Sequence, residues 1–145
     1  MQNYPYSDRM PSFVRDGIPL LTGFRRETIA PSVVLAVRDP LCVGEGADDD
    51  AIAAHMENAE VVAKTGLFTT ITGTYRGAPV SVVSGGSGSP EAELALMDLF
   101  NHTDARTVIR IGGCGGWGEK VGVGDVVISS GAVRDEGMTK AHVRT

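Results

Sequence analysis

Three features of this 145-residue chain predict an α/β fold built on a mixed sheet. A valine-rich segment at residues 78–84 (APVSVVS) runs through Gly85-Gly86-Ser87-Gly88 into a stretch with helix-start chemistry. A second apolar segment, residues 105–111 (ARTVIRI), follows that helix, and a strand–helix–strand unit of this kind places its strands parallel in one sheet. Upstream, residues 67–75 and 78–84 are separated only by the turn around Tyr75-Arg76-Gly77, which predicts an antiparallel hairpin. Parallel and antiparallel pairings in one sheet make it mixed.

From the amino terminus, residues 1–30 are rich in proline, arginine and turn formers and read as an irregular arm with at most a short helical piece. Residues 32–37 (SVVLAV) read as the first strand. Residues 44–65 begin with Asp48, Asp49 and Asp50, then space Ile52, His55, Met56, Ala59, Val62 and Ala63 at helical intervals, predicting a helix that Gly66 stops. Three consecutive aspartates at a helix start complement the dipole, and adjacent helical residues diverge, so no metal site is expected there. After the hairpin, Ser89 is expected as N-cap and Pro90 as the first helical residue, with Glu91 and Glu93 at the positive end of the dipole. Leu94, Met97 and Phe100, interleaved with Ala95, Leu96 and Leu99, give a broad core-facing stripe to about Asn101.

Residues 105–130 carry the densest chemistry. Val108 and Arg110 share a strand face, so the guanidinium projects from an apolar surface beside a turn containing Gly112, Gly113, Gly115, Gly116 and Gly118. A planar five-donor fork beside glycine amides suits an anion. The same residues also fit a surface arginine followed by a flexible loop. The loop at residues 85–88 is a second such place, since a strand, a glycine turn and a helix N-terminus together suit a phosphate or a sugar hydroxyl, though they also make an ordinary αβ connection. Joined by one helix, the two loops are expected side by side at the carboxyl ends of their strands. The chain is expected to resume as a strand at Val126-Val127-Ile128. Residues 113–118 also satisfy Gly-x-Gly-x-x-Gly, but a short glycine-rich turn follows where a dinucleotide fingerprint needs a helix, which argues against that reading.

Composition bounds the class. With 42% hydrophobic residues and a net charge of −5, the chain reads as one globular domain or part of one, too acidic for a nucleic-acid groove built on bulk charge. It has no run of ~18 apolar residues that would suggest a membrane span. The start also lacks the pattern of a signal peptide, and a reducing cytoplasm is the default location. Cys42 and Cys114 are too few and too far apart for a disulfide framework or a metal site.

Three motifs occur in order: Gly86-Ser87-Gly88-Ser89-Pro90, then Arg110-Ile111-Gly112-Gly113-Cys114-Gly115, then Gly124-Asp125-Val126-Val127. Over residues 31–137 this resembles the amino-terminal half of the nucleoside phosphorylase superfamily that contains the hexameric purine nucleoside phosphorylases and the uridine phosphorylases. The resemblance implies a three-layer α/β/α, phosphorylase/hydrolase-like fold with a mixed central sheet, here apparently truncated. Residues 1–30 would form an arm and residues 31–145 the amino-terminal half of the domain. It implies a pentosyltransferase that cleaves a nucleoside's N-glycosidic bond with inorganic phosphate as co-substrate, giving free base and pentose 1-phosphate with no cofactor. By that mapping Arg110, Gly113 and Arg38 face phosphate, while Ser87, Cys114 and Gly115 face the nucleoside. No catalytic residue is assigned. Cys114 fits a small packing residue better than a nucleophile, because a reactive thiolate needs an electropositive, accessible setting.

The departures are as specific as the matches. The family's Pro-Gly-Asp-Pro-x-Arg loop is here Val37-Arg38-Asp39-Pro40-Leu41-Cys42, with Arg38 at the glycine and Cys42 at the arginine. Arg38 either supplies the lost cation from a new direction or occludes the pocket. An arginine that many relatives lend to a neighbouring subunit falls at Gly66, and the arm lacks the family's histidine. Relatives continue well past the position of Thr145, so the chain is expected to be a fragment, one half of a split enzyme or a degenerate module. Its partners would be nucleoside and phosphate, with a homo-oligomer or a missing carboxyl-terminal half beside it, and neither nucleic acid nor membrane. A hydrolytic nucleosidase and a non-catalytic partner subunit are the alternatives. Cys114 leans toward the purine branch; Gly124-Asp125-Val126 and Val133-Arg134 lean toward uridine phosphorylase.

Overall fold

A computed structural model describes residues 13–36, 52–133 and 135–137. The chain divides into two units, Met1–Ile111 and Gly112–Thr145.

In the first unit, β1 (Val14–Arg15) and β2 (Ile18–Pro19) form a small antiparallel hairpin. Asp16 and Gly17 turn it with φ of 53° and 80°, the left-handed pair that a two-residue hairpin loop requires. Beyond the hairpin, Phe24, Ile29 and Ala30 are buried. The main sheet contains β3 (Ser32–Ala36), β4 (Glu57–Lys64), β5 (Phe68–Tyr75), β6 (Ala78–Gly85) and β7 (Thr107–Ile111), in the order β4-β5-β6-β3-β7. β3 is parallel to both β6 and β7, while β4, β5 and β6 pair antiparallel, so the sheet is mixed as the sequence predicts. β5 and β6 meet at Arg76 and Gly77, whose φ values of 49° and 81° again make a left-handed two-residue turn.

The sheet order corrects one expectation. β6 and β7, expected as neighbours that bring the two glycine loops side by side, are not adjacent, because β3 lies between them. Its composition explains the placement: SVVLA is apolar on both faces, as a strand covered on both sides and paired along both edges must be. Val33 and Leu35 join Phe24, Ile29, Phe68, Val83, Ala95 and Leu99 in the main core on one face. Ala36 and Val82 form a smaller cluster with Val34, Ile52, Met56 and Ile111.

Helix α1 (Gly88–His102) lies against the larger cluster through Ala95 and Leu99, one turn apart and both fully buried. Met97 is buried and Leu94 packs at the margin, whereas Phe100 is 40% exposed and sits outside the expected stripe. The helix starts two residues earlier than the sequence predicts. Ser87 is the N-cap rather than Ser89, because glycines at 86 and 88, with φ of 83° and 71°, let the chain turn into the helix sooner. At the other end the Thr103 hydroxyl donates to the Leu99 carbonyl at 2.6 Å and accepts the Ala105 amide at 3.1 Å, which turns the chain toward β7.

The helix expected over residues 44–65 is overturned in its described part. Ile52–His55 form one 3-10 turn, and Glu57–Lys64 is β4, an edge strand paired with β5. The open edge of β5 offers hydrogen bonds that outweigh a weak local periodicity. The pairing contains register shifts at Glu57/Glu60, with Asn58 at φ 53°. Opposite them Gly73 leaves the room: a Cβ there would lie 2.9 Å from the Glu57 carbonyl oxygen. Asp48, Asp49 and Asp50 lie outside the described residues.

Polar contacts fasten the segment before β3 to this frame. Ser81 accepts the Ala30 amide at 2.8 Å and lies 2.7 Å from the Thr72 hydroxyl; a 2.9 Å hydrogen bond from Thr72 reaches the Thr28 carbonyl. Thr65 donates to the Leu21 carbonyl at 2.7 Å and accepts the Phe68 amide at 3.0 Å.

The second unit contains turns but no strand among its described residues. Val126, Val127 and Ile128 are 89%, 58% and 90% exposed, so the strand expected there does not form. A run of β-formers becomes a strand only where another strand accepts its hydrogen bonds, and among the described residues none pairs with it. Its order comes from glycine turns instead. Asp125 donates its amide to the Gly122 carbonyl at 3.3 Å, and its carboxylate accepts the Gly122 amide at 2.8 Å. No helix among the described residues is long and apolar enough to cross a membrane, and no group of three or more potential metal ligands occurs among them.

Candidate functional site

The carboxyl ends of β6, β3 and β7 lie along one edge of the sheet. Ala36 stands level with Ser84 on one side and Ile111 on the other, so the three strands end at the same height. Two of the expected site residues, Ser87 and Arg110, belong to this edge.

Arg110 sits on β7 opposite Leu35, which in turn stands opposite Val83. Leu35 and Val83 are buried and Arg110 is exposed, so the guanidinium ends an apolar row, as the alternation of β7 predicts. Among the described residues no carboxylate pairs with it.

The loop after β6 is shaped by close approach. Gly85 has φ 144°, and a Cβ there would collide with the Leu67 carbonyl oxygen and lie 2.7 Å from Phe68 Cδ1. Only glycine fits. A Cβ on Gly86 would lie 3.3 Å from both Glu91 Cβ and Phe68 Cε1. Ser87 is exposed, and its side chain makes no capping hydrogen bond to the helix. Its amide instead donates to Glu91 Oε2 at 2.6 Å. From the sequence Glu91 is only a general complement to the dipole; its spacing of four residues from Ser87 is the available signal for a direct bond.

Gly113, Cys114 and Gly115 belong to the second unit and are exposed. Cys114 is a free, exposed thiol rather than a packed side chain. In the same turn a Cβ on Gly116 would lie 2.6 Å from Val121 Cγ1, and Trp117 is 94% exposed. Arg38, with the rest of the loop that departs from the family pattern, lies outside the described residues, as does Arg134.

Comparison with known proteins agrees with this architecture. A family profile described as "Phosphorylase superfamily" matches residues 42–144. The chain belongs to the phosphorylase superfamily. Similar members of the superfamily include the uridine phosphorylase of Treponema pallidum, 37% identical over 99 residues that make up 68% of this chain and 38% of that protein. A DeoD-type purine nucleoside phosphorylase of Mannheimia succiniciproducens is 34% identical over 112 residues, 77% of this chain and 45% of that protein. Among solved structures of the superfamily, uridine phosphorylase from Vibrio fischeri superposes with a TM-score of 0.76 at 26% identity, covering 91% of this chain and 52% of that one. The chain therefore spans about two fifths of the length of these two curated relatives. Both arms of the superfamily represented here, uridine and purine, are named as enzymes.

Proposed function

We propose that this chain forms the phosphate- and sugar-facing edge of a nucleoside phosphorylase, which transfers the pentose of a nucleoside to inorganic phosphate. One observation carries the reading: Ser87 and Arg110 lie on the same carboxyl edge of the sheet, flanking β3. Their strands are two spacings apart, about 9–10 Å, a span suited to a sugar with a phosphate beside it. The names of the relatives support the same chemistry.

As the glycosidic bond stretches, the sugar gains positive character and the departing base gains negative charge. The protein's task is to hold an anionic nucleophile at the anomeric carbon and to stabilise the leaving base. Arg110 offers phosphate a planar donor fork, and Arg38 would add a second cation. Gly113 brings backbone amide without side-chain bulk. Ser87 presents a hydroxyl to the sugar, and the family resemblance assigns Cys114 and Gly115 to the base. Phosphate is the co-substrate and no cofactor is required. The enzyme would be oligomeric or would work with a further half of the fold.

The test is release of free base from inosine, adenosine, uridine and methylthioadenosine, with and without phosphate. It is run on this chain alone and on the chain joined to the carboxyl-terminal half of a relative. Phosphate-dependent release by the joined form supports the proposal. Release that ignores phosphate would favour a hydrolase, and a folded joined protein without turnover would favour a non-catalytic subunit.

A further inference from the structure

The turn that follows β6 rests on the head of β5. Phe68, the first residue of β5 and 1% exposed, stands opposite Gly85 in the antiparallel register. A Cβ on Gly85 would strike the Leu67 carbonyl oxygen and lie 2.7 Å from Phe68 Cδ1, and one on Gly86 would lie 3.3 Å from Phe68 Cε1. The backbone of the turn is therefore packed against one ring and the peptide before it, and close-packed atoms transmit displacement. What fixes Leu67 and Phe68 is Thr65. Its amide donates to the Phe68 carbonyl at 2.8 Å, and its hydroxyl accepts the Phe68 amide at 3.0 Å and the Leu67 amide at 3.3 Å. The same hydroxyl donates to the Leu21 carbonyl at 2.7 Å, which uses its one proton and both acceptor sites. Thr65 Cγ2 would lie 3.3 Å from a Cβ on Gly23, so the segment before β3 is pressed against it.

We propose that Thr65 is a positioning residue for the turn at residues 85–87: by holding Leu67 and Phe68 against the Leu21 carbonyl it sets where that turn presents Ser87. Its meaning for catalysis rests on the reading of Ser87 as sugar-facing. Thr65 acts through Phe68, and it makes the turn sensitive to the segment before β3. Thr72 shows that the role belongs to the place and not to any threonine that ties this segment down. The Thr72 hydroxyl donates to the Thr28 carbonyl at 2.9 Å and lies 2.7 Å from the Ser81 hydroxyl. It too fastens the segment to β5, but four residues further along, opposite Ser81 and away from Gly85.

The test compares Thr65→Val, which keeps the shape and removes the hydroxyl, with Thr65→Ser and Thr72→Val. Each is made in the full 145-residue chain, labelled with nitrogen-15. Both valine variants are expected to lower the urea midpoint to a similar extent. Only Thr65→Val should move the amide cross-peaks of Gly86 and Ser87, with exchange of the Phe68 amide about tenfold faster, and Thr65→Ser should return both to the parent. Phe68→Leu approaches the same link from the other side: it withdraws the ring edge with Thr65 intact and should move the same two cross-peaks. Gly86 and Ser87 unmoved in a folded Thr65→Val chain, or unmoved in Phe68→Leu, would overturn the proposal. So would a Thr72→Val chain that moves them as far. No ligand enters this measurement, so its failure is separate from failure of the phosphorylase reading, which the base-release assay decides.

Discussion

Thr22 and Asp98, 76 positions apart in sequence, meet in a buried hydrogen bond of 2.7 Å from the threonine hydroxyl to Asp98 Oδ2. Both residues are almost fully buried, at 0% and 1% exposure, so the bond ties the segment before β3 to the inner face of α1 where water does not compete. Thr22→Val keeps the shape and removes the donor. It is expected to cost about 1–3 kcal/mol in urea denaturation followed by far-ultraviolet circular dichroism, with Thr22→Ser nearer the parent. Equal stability of the valine variant would show that the bond is incidental.

Gly85 and Gly77 both have positive φ, yet their substitution should differ sharply. At Gly77, φ 81°, a Cβ meets open space, and Gly77→Ala is expected to cost about 1–2 kcal/mol from backbone conformation alone. At Gly85 the added methyl also strikes the Leu67 backbone and Phe68, so Gly85→Ala should cost about 3 kcal/mol or more. Denaturation midpoints of the two variants, measured together, check the contrast.

Arg110 is exposed, so its truncation should leave folding nearly untouched, within about 0.5 kcal/mol. Its proposed task is phosphate. Arg110→Ala is expected to weaken phosphate binding about tenfold or more, with Arg110→Lys intermediate because a point charge replaces a fork. Calorimetric titration with phosphate measures it, and an unchanged affinity would remove Arg110 from the site.

Hydrogen exchange should grade the sheet from centre to edge. β3 is paired on both sides and its Val33 and Leu35 are buried, whereas β4 is an edge strand whose Val61 is 59% exposed. Amides of β3 are expected to exchange slowest in the sheet and those of β4 among the fastest. Slower exchange in β4 than in β3 would contradict the strand order.

What the sequence revealed was local. The β5–β6 hairpin announces itself through Arg76-Gly77, and the β6–α1–β7 unit through a glycine turn, an acidic first turn and Arg110 at the end of an apolar alternation. What it concealed depends on distant partners. Nothing within residues 57–64 says that the edge of β5 will claim them, and their apolar spacing suits a helix as well as an irregular edge strand. Nor do β6 and β7 reveal that β3 will insert between them, although the continuous apolar run of β3 is the mark of a central strand. The Ser87–Glu91 bond is hidden in the sequence because Ser89-Pro90 is also a good helix start, and only the backbone freedom of Gly86 and Gly88 decides between the two.

Trp117 is the one tryptophan of the chain and lies 94% exposed in the unit Gly112–Thr145. Native fluorescence excited at the indole band will therefore resemble that of a small peptide in water. The same exposure makes the residue a built-in sensor. A ligand, antibody or further stretch of polypeptide that settles over the glycine turn will shift its emission to the blue, without any label having been attached.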